Sequence, residues 1–327
     1  MKVLRILSGM RPSGRLHIGH LSVLSNWLRL QEEHECFFFV ADWHALTTAF
    51  DDPGSIEENT REMLADWLAV GIDPERSTVF IQSRLLEHAE LHLLLSMITP
   101  LSWLERVPTY KDQVQQLAVK GKDITTYGFL GYPLLQTADI LMYRADAVPV
   151  GQDQLPHLEL SREVARRFNH LYGNLFPEPQ ALLAEESLLP GVDGRKMSKS
   201  YENEISLSAV PELIEKRVRM MVTDPARIRK NDPGHPEVCD VYTYQELYNR
   251  DLVAEIAASC RAGTVGCVAC KLQLAGSLTA YLKPVRERRE ALLAQPGVID
   301  AVIERGTEKA RAAARETMRL VRRALGL

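Results

Sequence analysis

Val3-Leu4-Arg5-Ile6-Leu7-Ser8-Gly9-Met10-Arg11-Pro12-Ser13-Gly14 runs from an apolar stretch into a cluster of turn formers, and His17-Ile18-Gly19-His20 follows it directly after Arg15 and Leu16. Residues 3–7 read as a short buried strand, Ser8-Gly9 breaks it, and Leu21, Leu24 and Leu28 mark a helix beginning near Ile18. His17 and His20 therefore stand where a strand hands over to a helix N-terminus. Unpaired amide N–H groups and the helix dipole favour an anion there. Two imidazoles three residues apart share one side of the first turn and can donate to phosphate oxygens. Gly19 between them leaves room for a flat ring to approach the backbone. Taken alone, the segment reads equally as a helix start with two partly exposed histidines, or as a pair of metal ligands.

Working outward, strand-like runs recur at Cys36-Phe37-Phe38-Phe39-Val40, Thr78-Val79-Phe80-Ile81 and Ala147-Val148-Pro149-Val150-Gly151, with helical stretches between. That alternation predicts an α/β fold built on a parallel sheet. Ligands of such sheets sit beyond the carboxyl ends of the strands, where the His17 loop, Asp42-Trp43-His44 and Gly151-Gln152-Asp153 fall. After Ser200 strand signals nearly vanish and helical periodicity dominates, over residues 209–222 and 306–325. The expected division is a catalytic domain over residues 1–204 and a helical domain over 205–327, with the last helix packing back on the first domain.

The chain has 327 residues and a formal charge of −4, with no apolar run of membrane-spanning length. The N-terminus lacks a signal-peptide pattern, so the expected location is cytoplasmic. From Arg261 onward there are 13 Lys and Arg against 6 Asp and Glu, a basic third compatible with a polyanion or with an ordinary helical surface.

Lys196-Met197-Ser198-Lys199-Ser200 follows Leu188-Leu189-Pro190-Gly191-Val192-Asp193-Gly194-Arg195, whose prolines and glycines predict a movable loop. Lys196 and Lys199 bring ammonium groups suited to phosphate charge. Four of the five cysteines cluster as Cys239, Cys260, Cys267 and Cys270, spaced C-x₂₀-C-x₆-C-x₂-C. This spacing suits four thiolates on zinc or on an iron–sulfur cluster and does not separate the two; four free thiols is the remaining reading. Cys36 lies in a strand and reads as core packing.

The pair His17–His20 and Lys196–Ser200, in this order and separation, resembles the two ATP-handling signatures of class I aminoacyl-tRNA synthetases. Segments 8–14, 42–47, 69–74 (Ala-Val-Gly-Ile-Asp-Pro), 132–141 (Tyr-Pro-Leu-Leu-Gln-Thr-Ala-Asp-Ile-Leu) and 148–154 narrow the resemblance to tryptophanyl-tRNA synthetases of bacterial type, over essentially the whole chain. The resemblance implies a Rossmann-like catalytic domain, a helical anticodon-binding domain and a homodimer. It also implies activation of L-tryptophan by ATP with Mg²⁺, then transfer to the 3′ end of tRNA(Trp).

By the resemblance, His17, His20, Lys196 and Lys199 are catalytic. ATP is held by Arg11, Pro12, Ser13, Gly19, His20, Gly151, Gln152, Asp153, Leu189, Lys196, Met197, Ser198, Lys199 and Ser200. Asp139 accepts the indole N–H, with Tyr132, Gln136, Gln154, His44 and Leu7 around the amino acid. Many relatives carry an aromatic residue in place of Leu7 and glutamine in place of Arg11. The four cysteines resemble those of a subset of these enzymes that holds a [4Fe–4S] cluster. Three rivals stay open on sequence: a tyrosyl-tRNA synthetase, a small-molecule nucleotidyltransferase, and a nucleic-acid-binding paralogue without charging activity.

Overall fold

The computed structural model describes residues 2–108, 123–183, 189–198 and 201–327. Five parallel strands, β1 (Arg5–Met10), β2 (Glu35–Val40), β3 (Ser77–Ile81), β4 (Ala147–Val150) and β5 (Gln180–Leu183), lie in the order β3-β2-β1-β4-β5. This is the Rossmann-like sheet, flanked by α1 (Leu21–Glu33), α2 (Asp42–Ala49), α3 (Ile56–Val70), α4 (Glu87–Ser96), α5 (Leu101–Glu105), α6 (Tyr127–Met142) and α7 (Leu155–Tyr172). The expected first strand starts and ends later than residues 3–7, because residues 5–10 pair in full register with β2. β5 is a strand that sequence reading missed; only its middle residues are even half-buried, so it carries no apolar run.

Strand order reverses between β1 and β4, and those two pair only at Ile6 and Ala147. Beyond that contact their carboxyl ends part, which opens the crevice where such sheets bind ligands. Pro149, without an N–H, is tolerated in β4 because the β1 side is unpaired at that level.

The chain forms two compact units that interleave in sequence. The first comprises residues 1–14, 23–185 and 295–327; the second comprises 15–22 and 186–294. In the first unit Trp27 stacks on Phe38 at 4.4 Å and meets Trp67 edge-on at 5.0 Å, while Phe39, Phe80 and Tyr143 fill the other face of the sheet. Cys36 is buried in β2, and burial raises its thiol pKa to about 12.

The final helix, α12 (Val298–Leu325), belongs to the first unit and packs on β3 and α4. Ala310, Ala314, Met318 and Val321, at helical spacing, are fully buried. The helix begins eight residues before the 306–325 stretch of helical periodicity. Gly306 stands in its interior where β3 approaches, a Cβ there falling 1.7 Å from the Val79 carbonyl oxygen. Part of the basic excess after Arg261 is engaged here: Arg305 pairs with Glu75, Arg315 with Glu87 and Arg322 with Glu90.

The second unit contains α8 (Pro211–Met220), α9 (Asp240–Tyr248), α10 (Val253–Arg261) and α11 (Cys267–Leu293), with α11 packed on α8 and α9. No helix among the described residues is long and apolar enough to cross a membrane.

Candidate active site

In the first unit, polar residues gather at the carboxyl ends of four strands: Arg11, Pro12 and Ser13 after β1, Asp42 and His44 after β2, Gln82 after β3, and Gly151–Gln154 after β4. A tight turn closes the first of these loops, the Ser13 amide donating to the Arg11 carbonyl at 2.8 Å. Gln152 and Asp153 are exposed. Gln154 donates its side-chain amide to Asp153 at 2.8 Å.

Asp139, on the inner face of α6, is the centre of a buried polar cluster. His44 Nε2 lies 2.8 Å from its Oδ2, and His88 Nδ1 lies 2.6 Å from its Oδ1. The Gln82 amide donates to both oxygens, at 2.8 and 2.9 Å. Burial on its own pushes the carboxyl pKa up, but the hydrogen bonds and charges of His44 and His88 outweigh it and hold it below the usual aspartate range. The result is a fixed, ionised acceptor in apolar surroundings. Tyr132 stands edge-on to His44 at 6.3 Å and its hydroxyl is 3.2 Å from His157 Nε2. Burial lowers His157 to about pKa 4, so that ring is neutral near pH 7.

Of the residues expected around an amino acid, Asp139, His44 and Tyr132 are thus brought together. Gln136 is half-buried on the same helix as Asp139. Leu7 sits inside the hydrophobic core with Phe37 and Ala138.

The second unit holds both signatures. The Ile18 amide donates to the Ile205 carbonyl at 2.9 Å and the Leu207 amide to the Leu16 carbonyl at 3.0 Å, joining the first signature to the segment just after the second. A Cβ on Gly19 would lie 3.0 Å from the His17 ring and 3.6 Å from Met197 Sδ, which explains the glycine. His17 and His20 rings stand 3.9 Å apart. His20 Nδ1 lies 3.2 Å from the His17 amide nitrogen and 3.3 Å from the His17 carbonyl oxygen, which fixes the ring against the His17 backbone. The expectation of free amides at this helix start needs correction. The Ile18 and His20 amides are already taken, by Ile205 and His17, so the anion-binding capacity rests more on the imidazoles.

The 190–198 segment is a hairpin held by Asn203, a buried residue that motif reading passed over. Asn203 Oδ1 accepts from the Ser198 amide at 2.8 Å, and its Nδ2 donates to Asp193 at 2.7 Å and to the Lys196 carbonyl at 3.2 Å. Tyr244 fastens the base of the hairpin, its hydroxyl donating to the Pro190 carbonyl. Lys196 bridges Pro190 at that base and is exposed, while Met197 and Leu189 are buried. Lys199 and Ser200 lie outside the described residues.

Cys239 precedes α9, Cys260 lies near the end of α10, and Cys267 and Cys270 occupy the first turn of α11. Burial first, then the charges of the other three thiols, raises Cys270; burial and the charges of Cys239 and Cys267 raise Cys260. Cys270 is therefore within electrostatic reach of the other three, and Cys260 of Cys239 and Cys267. Among the described residues, no group of three or more His, Cys, Asp or Glu side chains converges on metal-ligand geometry.

Gln82, His88, Tyr143 and His157 were not singled out from the sequence. Their partners lie 25 to 57 residues away, and no local spacing announces such contacts.

Residues 1–283 match the model of a family described as tRNA synthetases class I (W and Y). The chain is 52% identical to the tryptophan–tRNA ligase of Thermotoga maritima over 99% of both chains. It is 46% identical to that of Aquifex aeolicus, over 99% of this chain and all of the relative. Among solved structures, tryptophanyl-tRNA synthetase from Campylobacter jejuni, complexed with ADP and tryptophan, superposes with a TM-score of 0.90 at 34% identity, over 99% of this chain and 100% of that one.

Proposed function

The chain belongs to the class I tRNA synthetases (W and Y), and we propose that Asp139 is the residue by which this tryptophan–tRNA ligase recognises its amino acid. It activates L-tryptophan with ATP to tryptophanyl-adenylate and diphosphate, then transfers the tryptophanyl group to tRNA. Indole N–H is a donor only, and the buried, ionised Asp139 carboxylate is the matching acceptor. That complementarity carries the reading.

The tryptophan carboxylate attacks the α-phosphorus of ATP; the oxygen–phosphorus bond to it forms as the bond to pyrophosphate breaks. The protein supplies no nucleophile, so rate comes from positioning and charge stabilisation. His17 and His20 face the phosphates in this scheme, and Lys196 and Lys199 neutralise the departing pyrophosphate. Arg11, Pro12, Ser13, Gly19, Gly151, Gln152, Asp153, Leu189, Met197, Ser198 and Ser200 complete the ATP contacts. Mg²⁺ enters on the ATP phosphates as part of the substrate.

An analogue with sulfur in place of the indole N–H, the benzothiophene isostere, tests Asp139 in the wild-type enzyme. ATP–pyrophosphate exchange is expected to favour tryptophan over it by about 10³-fold or more in kcat/KM, since a site built around one N–H leaves its acceptor unpaired without it. Near-equal activation of the two would refute the assignment.

The helical domain of residues 205–327, its last helix packing back on the catalytic domain, is assigned to anticodon recognition, supported by its helical make-up. The homodimer is supported by an exposed apolar stripe at α4, where Leu86, Leu93 and Met97 are 72%, 54% and 71% exposed. The cytoplasm, where tRNA and ATP are available, is the assigned location.

For the four cysteines we favour a [4Fe–4S] centre over zinc. The donor set is chemically suited: four thiols from three elements, with the Gln245 amide donating to Cys270 Sγ at 3.3 Å and Arg227 approaching Cys260 Sγ at 3.8 Å. Gly234 leaves the space a Cβ would fill, 2.5 Å from Cys260 Sγ. Anaerobic purification is expected to give brown protein with iron and sulfide in equal amounts. Colourless, metal-free protein with full activity would rule the centre out.

A further inference from the structure

Behind Asp139 runs a chain of buried groups that the reaction scheme leaves unused. The Tyr143 hydroxyl lies 2.8 Å from His88 Nε2, and His88 Nδ1 lies 2.6 Å from Asp139 Oδ1. Both His88 and Tyr143 are completely buried. A carboxylate only accepts, so His88 Nδ1 donates to Asp139, while His88 Nε2 is engaged by the Tyr143 hydroxyl. Burial, with the charges of Asp139 and Glu87, raises the Tyr143 phenol well above its ordinary value and keeps it a donor.

The donors to Asp139 are unequal. His88 and Gln82 are sealed from solvent, whereas the His44 side chain is 10% exposed. His88 is thus a wholly internal donor to Oδ1, and His44, on Oδ2, is the donor nearest to solvent. A purely structural account fits poorly. Burying an ionised group among hydrogen-bond donors is weak support for stability, and a well-packed apolar cluster of the same volume would serve a fold as well or better.

We propose that His88, oriented by Tyr143, is a positioning residue that fixes the Asp139 carboxylate for the indole N–H, so that tryptophan selectivity depends on the Tyr143–His88–Asp139 chain. This rests on the reading of Asp139 as the indole acceptor. The titratable groups facing that carboxylate are His44, His88, His92 and Tyr143.

The test uses Tyr143→Phe, His88→Leu and His88→Asn in the full-length enzyme. ATP–pyrophosphate exchange is measured with tryptophan and with the benzothiophene isostere from pH 5 to 8, alongside thermal unfolding. Tyr143→Phe is expected to lower kcat/KM for tryptophan about tenfold, chiefly through KM, with a much smaller fall for the isostere. His88→Leu is expected to lower it roughly 10²-fold and to move the acid limb of the tryptophan KM profile toward neutral pH, because Asp139 loses a donor that offsets its burial. His88→Asn, whose amide N–H takes the place of Nδ1–H, recovers most of the selectivity. Should His88→Leu fail to fold, Tyr143→Phe still decides, since it removes a single hydroxyl. If the folded variants slow both substrates equally, or leave tryptophan KM untouched, the inference is overturned and the Asp139 reading stands. If Asp139→Asn leaves the tryptophan-to-isostere ratio at its wild-type value, both fall together.

Discussion

Asp139→Asn is expected to reduce kcat/KM for tryptophan by roughly 10²- to 10⁴-fold, mostly through KM, while the benzothiophene isostere loses far less. Two effects combine. The indole N–H loses a charged acceptor, worth about 1.5–3 kcal/mol, and the new amide turns an N–H toward donors already in place, which costs about 1–3 kcal/mol. Whichever way the amide is turned, its nitrogen faces Gln82 together with either His44 or His88, because those donors occupy both oxygens.

The pH dependence follows from the lowered pKa of Asp139. A carboxyl whose folded pKa lies below its unfolded value of about 3.9 contributes stability that is present above that value and lost as pH falls through the folded pKa. The acceptor therefore stays ionised throughout the neutral and mildly acidic range. Tryptophan KM is expected to be flat between pH 8 and 5 in the wild type, as read by exchange kinetics at constant ionic strength.

The second large effect is on stability. Gly306→Ala is expected to destabilise the fold by about 3 kcal/mol or more, seen as a lowered midpoint in thermal or urea unfolding. Alanine in a helix interior would ordinarily gain about 1 kcal/mol over glycine. Here the added Cβ falls 1.7 Å from the Val79 carbonyl oxygen and 2.6 Å from its carbon. Both partners are backbone, one in the edge strand β3, which is paired along its length with β2, and one in a long helix, so neither yields cheaply. The overlap outweighs the propensity, and α12 must lift from β3. An unchanged midpoint would show that the helix does not rest on that strand.

Much of the fold was legible because its signals are local. Four of the five strands carry runs of apolar, β-branched or aromatic residues, and the turn chemistry of residues 8–14 placed the first strand-to-helix handover. β5 was not legible because its residues are half-buried at most. The periodicity marks α12 from Gly306 onward, and only the approach of β3 explains a glycine in the interior of that helix. The two signatures were legible as motifs, but what joins them was not: the bonds run through Leu16, Ile18, Ile205 and Leu207, ordinary apolar residues acting through their backbone. Asp139 was singled out by its segment, whereas Gln82, His88 and Tyr143 became visible only when folding brought them to it.

The most direct measurement is a crystal structure of the enzyme with tryptophan and ATP. The account predicts the indole nitrogen about 3 Å from an Asp139 carboxylate oxygen, with His88 and Tyr143 unmoved behind it. An indole ring seated elsewhere, or with its N–H directed at another group while Asp139 keeps only its protein partners, would contradict it.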